Sequence, residues 1–338
     1  SGAMLLPSMY TFLEMYDVGL IEQLNILERW KKNDSTISLR APIGIDVSGM
    51  PIVLDIHEKA HGPHGLIAGS TGSGKSELII TYILSLAVNY HPDDVSFLLI
   101  DYKGGGLAGA FQKNDIKLPH LVGKITNIDT NGLQRSLASI QSELRRRQVI
   151  FDKARNMIDE GVMDIYKYQK LYHEGILKTP VPHLLIICDE FAELKQQQEE
   201  FMDGLISVSR IGRSLGVHLI LATQKPAGIV NDQIRSNSKF AICLKVQDRE
   251  DSNDVIKRPD AASLRGSGQF FMQVGNDDYF VLGQSAWAGA QYYPSSIIKK
   301  KIDNSINFVS NVGVSLKDVY NIAQKNISNH GEQLTNIV

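Results

Sequence analysis

Gly69-Ser70-Thr71-Gly72-Ser73-Gly74-Lys75-Ser76 fits the pattern G-x-x-x-x-G-K-[ST], a phosphate-binding loop. Gly69, Gly72 and Gly74 allow a tight turn that aims backbone N–H groups inward at an anion, with Ser70, Thr71 and Ser73 completing the cradle. Lys75 brings a cation to the terminal phosphates, and the Ser76 hydroxyl is a hard oxygen ligand for Mg²⁺. A helix starting near Gly74 adds the positive end of its dipole. The flanks agree. Leu66-Ile67-Ala68 reads as a short buried strand before the loop. Leu78-Ile79-Ile80 and Ile83-Leu84 follow in a stretch free of Gly and Pro, as a helix requires. The competing interpretation, a flexible Gly/Ser loop beside a core helix, leaves the lysine and the strand unexplained.

The chain has 338 residues, enough for one large domain or two small ones with ample core. Its formal charge of -2 gives no global pull toward nucleic acid or an anionic membrane. Cys188 and Cys243 each sit in an apolar run and read as reduced core thiols. No apolar stretch approaches the roughly 18–20 residues that span a bilayer. Ser1-Gly2-Ala3-Met4 reads as a cloning remnant before a native segment, and the expectation is an excised part of a larger protein.

Residues 1–41 read as a helical preface, in which Leu20, Ile21, Leu24, Leu27 and Trp30 predict one amphipathic helix. Ile43–Asp46 and Ile52–Asp55 predict a hairpin turning near Ser48-Gly49. Further strands are expected at 66–68, 95–100, 183–188, 217–222, 240–246, 269–274 and 279–282. Helices are expected at 131–151 and 197–215. Arg145-Arg146-Arg147 on the first of these reads as a solvated face in preference to a ligand patch. Strand–helix alternation predicts an α/β fold, a mostly parallel sheet with helices on both faces. Residues 291–338, polar and rich in Asn and Lys, read as a linker with a weak helical pattern around Val319, Ile322 and Ile327.

Leu184-Leu185-Ile186-Ile187-Cys188-Asp189-Glu190 is the second chemical motif, an apolar strand ending in two carboxylates. In a parallel sheet that end faces the ligand crevice. Asp189 is expected to hold Mg²⁺, and Glu190 to polarise the attacking water. A further apolar strand between the two motifs points to the ATPase class with an additional strand and a catalytic Glu. Gln224, closing the next strand, is placed to sense the terminal phosphate. On a helix over 197–215, Arg210 and Arg213 fall opposite the apolar side formed by Phe201, Leu205, Val208 and Leu215. Either could serve a neighbouring subunit as an arginine finger or be a plain surface residue. Lys103, beside three glycines, could touch phosphate or solvate a loop.

Taken together, these residues resemble the FtsK/SpoIIIE-type ATPases over about residues 42–290. More narrowly they resemble the first ATPase module of the EssC/EccC motors of type VII secretion. The resemblance is carried by His61-Gly62-Pro63-His64-Gly65 leading to Gly69–Glu77, by Ile100-Asp101-Tyr102-Lys103-Gly104-Gly105, and by Pro119-His120-Leu121-Val122. Asp189-Glu190-Phe191, the run Gly212–Gln224 and Gly266-Ser267-Gly268-Gln269 complete it. It implies a RecA-like P-loop core, ATP and Mg²⁺ as ligands, Glu77 beside the phosphate loop and a homo-hexameric ring. It also implies tandem ATPase modules, small helical WXG100-type cargo, and a cytoplasmic position in a protein anchored to the plasma membrane. Residues 291–338 would then link to a following module and hold this one at low activity.

Three functions follow: an ATP-driven export motor, a DNA translocase of the same family, and a nucleotide-gated scaffold with little turnover. The neutral charge balance disfavours the second, and Lys299-Lys300-Lys301 is too short a basic run to restore it.

Overall fold

The computed structural model describes residues 5–102, 104, 106–126, 129–159, 161–296 and 330–338. Lys103, the run Lys299–Lys301 and the pattern around Val319, Ile322 and Ile327 lie outside these residues. A ten-stranded sheet organises the fold. In chain order its strands are β1 (Arg40–Asp46), β2 (Pro51–Asp55), β3 (Gly65–Ala68), β4 (Val95–Asp101), β7 (Leu121–Thr126), β8 (His183–Asp189), β9 (Val217–Thr223), β10 (Phe240–Leu244), β11 (Gln269–Val274) and β12 (Tyr279–Ser285). The small hairpin β5 (Gln112–Lys113) and β6 (Ile116–Lys117) stands apart.

The sheet runs β2-β1-β12-β11-β10-β3-β9-β8-β4-β7. From β10 to β7 all pairings are parallel, and from β10 to β2 all are antiparallel. The first half is the expected α/β core, and the second is a wing built on its edge. Side chains alternate between two cores, as strand geometry demands. Leu185, Ile187, Ile220 and Ala222 pack toward the helix Lys75–Asn89. Leu184, Ile186, Cys188, Leu219 and Leu221 pack toward Thr130–Ile158, Ile165–His173 and Glu199–Ile211.

Three expectations change. The preface helix is broken: a 3₁₀ turn, Ile21–Leu24, stops at Asn25, whose left-handed φ of 50° separates it from the helix Ile26–Lys32. Asn tolerates that conformation through its short polar side chain. The helix expected over 197–215 is also divided. Phe191–Gln197 ends at Gln198, Glu199–Ile211 follows, and Gly212–Leu215 winds as 3₁₀ before β9. Third, Arg147 is no solvated residue. It is 2% exposed, donating from Nη1 to the Leu215 carbonyl at 2.8 Å and from Nε to Glu143 Oε1 at 3.1 Å. It falls in phase with the buried stripe Leu144, Phe151 and Ala154, so helical pitch carries it inward.

Candidate functional site: a phosphate loop facing two carboxylates

The phosphate loop leaves β3 and closes on the N-terminus of Lys75–Asn89. Gly72 and Gly74 take φ of +81° and +93°, left-handed values that glycine adopts without strain. The loop is fastened on both sides. Gly69 N–H donates to the Thr223 carbonyl at 3.1 Å, and Ser70 donates from N–H and from Oγ to the Lys245 carbonyl at 2.8 and 2.9 Å. The Thr71 hydroxyl donates to Gln224 Oε1 at 3.2 Å, so the polar end of β9 touches the loop directly.

Between the loop strand β3 and the carboxylate strand β8 lies β9. At about 4.8 Å per strand this sets them roughly 10 Å apart. The intervening strand is therefore β9, whereas β4, the strand between the motifs in the sequence, lies outside β8. The Lys75 side chain crosses the gap. Its Nζ lies 2.7 Å from Asp189 Oδ1 and 2.7 Å from Glu190 Oε1. All three residues are at most 9% exposed. Buried charges need close partners of opposite sign, which these provide. Glu190 holds φ at 56°, left-handed for a non-glycine, at a cost on the order of 1 kcal/mol. That conformation turns the chain from β8 into Phe191–Gln197, and the Glu190 N–H donates to Asp189 Oδ1 at 3.0 Å.

Asp101, met in the sequence only within the run Ile100–Gly105, was given no role there. It closes β4 in register with Asp189 and is 3% exposed. Asp189 and Glu190 thus face one ammonium, and a third buried carboxylate, Asp101, lies one strand away, its Oδ2 accepting from the Ala108 N–H at 3.5 Å. The imbalance fits a divalent cation. Among the described residues no three His, Cys, Asp or Glu side chains converge as a ready-made metal site. This donor set suits Mg²⁺, which takes one or two protein ligands and fills its octahedron with phosphate and water oxygens. Ser76 is exposed at the mouth of the loop, and so is Glu77 beside it.

Arg210 and Arg213 do not join this cluster. Both are exposed. Arg213 precedes β9, so the strand's length, roughly 20 Å at 3.3 Å per residue, separates it from its own phosphate loop. Its Nε is held by Glu58 Oε1 at 2.6 Å. The 3₁₀ winding of Gly212–Leu215 moves Arg213 off the helical phase it was expected to share with Arg210.

A family model for FtsK/SpoIIIE matches residues 24–228, more than half of the chain. The chain belongs to the FtsK/SpoIIIE family. Among relatives of this FtsK/SpoIIIE domain, the type VII secretion system protein EssC of Staphylococcus aureus (strain NCTC 8325 / PS 47) is 54% identical over 287 residues, 85% of this chain and 19% of EssC. The ESX secretion system protein YukB of Bacillus subtilis (strain 168) is 51% identical over 289 residues, 85% of this chain and 19% of YukB. The chain therefore spans about a fifth of the length of these relatives. A solved cytoplasmic domain of the Thermomonospora curvata type VII secretion ATPase EccC superposes with a TM-score of 0.73 at 28% identity, covering 96% of this chain and 35% of that one. The fold is that of a RecA-like P-loop ATPase, and the family is one of nucleotide-binding ATPases. No helix among the described residues is long and apolar enough to cross a membrane.

Proposed function

We propose that this chain is a Mg²⁺-dependent ATP-hydrolysing motor module of a type VII secretion protein. One observation carries the reading: Lys75 reaches Asp189 and Glu190, so the phosphate loop and the carboxylate pair share one cleft. Gly69 to Ser76 and the start of the following helix, with Glu77, would cradle the triphosphate. Ser76 and Asp189 would hold Mg²⁺, which supplies charge stabilisation at the phosphates. Lys75 would exchange its carboxylate partners for phosphate oxygens. That exchange frees Glu190 to accept a proton from an attacking water held beside Gln224. The module would comprise residues 42–290, with 1–41 as a preface and 291–338 as a linker to a following module.

Catalysis would be completed across a subunit interface in a homo-hexamer. Arg213, too far from its own loop, would stabilise transition-state charge in the neighbour's site. Arg210, one turn earlier and exposed, is the alternative donor. The working protein would be a cytoplasmic part of a membrane-anchored chain moving small helical WXG100-type substrates. The names of EssC, YukB and EccC support that assignment over DNA translocation.

The decisive comparison uses the full-length assembled protein. Lys75→Ala should abolish ATP binding. Glu190→Gln should retain ATP while turnover falls by about 10²–10⁴-fold, the usual worth of a general base. Unchanged turnover in Glu190→Gln sinks the catalytic assignment. The scaffold reading is supported if the parent assembly binds ATP but turns it over no faster than Glu190→Gln.

A further inference from the structure

The phosphate loop has a third fastening, and it comes from the antiparallel wing. Gly268, just before β11, donates its N–H to the Ser73 carbonyl at 2.8 Å. The approach is close: a Cβ on Gly74 would lie 2.8 Å from Gly268 N and 3.0 Å from Gly268 Cα. Gly268 itself has φ of +84°, and a Cβ there would fall 2.5 Å from Gln284 Nε2. Two bonds from β12 hold Gly268 in place, one on each of the peptides that flank it. Gln284 Nε2 donates to the Ser267 carbonyl at 3.0 Å, and Ser285 N–H donates to the Gly268 carbonyl at 2.8 Å. Gln284 is 5% exposed, so its amide is committed to this contact. Farther along the same segment, the Thr81 hydroxyl of the loop's own helix donates to the Ala286 carbonyl at 2.6 Å.

We infer that Gly268 and Gln284 are positioning residues for the phosphate loop, which makes the wing part of the nucleotide site. The inference rests on the nucleotide-binding reading above. Its physical basis is the direction of one peptide. A phosphate cradle works only when its N–H groups point inward, and so its carbonyls must point out and find donors elsewhere. Gly268 supplies that donor for the Ser73 carbonyl, at the peptide that leads into Gly74. Without it the Ser73–Gly74 peptide can rotate and present its oxygen to the phosphates. The Gln284 amide bonds to Ser267 and not to a loop residue, so it acts by holding the Ser267–Gly268 peptide at the right height.

The test measures fluorescent ATP-analogue binding to the full chain, alongside heat unfolding without nucleotide. Gln284→Met keeps the side-chain volume and removes the donor. Nucleotide affinity should fall about fivefold, the worth of one hydrogen bond, in protein that is fully folded at the assay temperature. KM for ATP should rise by the same factor with kcat unchanged, because the brace acts on phosphate binding alone. Affinity within twofold of the parent overturns the inference. If Gln284→Met does not fold, amide hydrogen exchange in the unaltered protein decides. A Gly268 N–H as slow as the sheet core supports the brace, and one that exchanges like an open loop removes it. Loss of binding in Lys75→Ala tests the underlying nucleotide reading separately. If the parent itself binds no nucleotide, that reading fails and the brace fails with it.

Discussion

The two ends of the same parallel strands bury polar groups in opposite ways. At the carboxyl ends, Asp189 and Glu190 hold Lys75 and Asp101 lies buried on the next strand, so buried negative groups outnumber positive ones. At the amino ends, His183 begins β8, His218 is the second residue of β9, and His64 immediately precedes β3. Those histidines form a buried, neutral network. The His218 Nδ1 donates to the Pro63 carbonyl at 2.9 Å, so its Nε2 accepts from His183 Nδ1 at 2.8 Å. The Leu219 N–H donates to His64 Nδ1 at 3.0 Å. The first end is left unbalanced and strained at Glu190, which suits a site that must exchange partners with a ligand. At the second end the neutral histidines bond mainly to one another and to backbone, which suits a support. Arg213 stands at the quiet end, away from the phosphate loop of its own chain, which is why the proposed function gives it to a neighbour's site.

The sharpest way to break this contrast is Arg213→Ala. In the assembled protein it should lower kcat on the order of 10³-fold, within the range for an arginine finger. In dilute, monomeric protein it should change nothing. An equal loss in both states would put Arg213 in its own subunit's chemistry, against its position.

Acid probes the quiet end. Burial pushes His64 down to about 4, helped by the charge of Arg213, and His218 down to about 3. Burial and then His218 hold His183 well below the ordinary range. A histidine with a depressed folded value takes its proton first in the unfolded chain. Stability from these three groups is therefore intact above about pH 6.5 and falls as pH drops toward the folded values. The limiting slope is about 1.4 kcal/mol per pH unit for each histidine, or about 4 kcal/mol for three. Denaturant titrations should show stability dropping steeply between pH 6.5 and 5. A flat profile would mean that the network is not buried and neutral.

The smallest effect concerns the ion pair that occupies Arg213. Glu58→Gln removes a half-exposed partner, of a kind worth about 0.2–1 kcal/mol. Assembled turnover should rise by about twofold to fivefold, and Arg213→Ala on the same chain should cancel the gain. No change would show that Glu58 does not restrain Arg213.

The reactive end was largely legible in the sequence because its chemistry is local. A phosphate loop announces itself in eight residues, and Asp189-Glu190 in two at the end of an apolar run. The wing's strands β1, β2, β11 and β12 were expected, but the bonds of the quiet end and of the wing were not legible, because they join residues far apart in the chain, such as His183 with His218 and Gly268 with Ser73. The edge strand β7 and the helix Ile165–His173 escaped notice because their apolar residues are few and mixed with lysines. Arg147 was misjudged by residue type although its phase along the helix pointed inward. The helix expected over 197–215 gives way at Gly212, a glycine the helical spacing ran through, and its separation from Phe191–Gln197 turns on the backbone at Gln198, where no Gly or Pro marks it.

The central claim is that Lys75 trades two carboxylates for a triphosphate. A structure of the Glu190→Gln assembly with ATP and Mg²⁺ tests this most directly. The account predicts Lys75 Nζ on phosphate oxygens, a metal ion between Ser76 and Asp189, and an arginine of the next subunit at the terminal phosphate. A triphosphate bound elsewhere, with Lys75 still on Asp189, would contradict it.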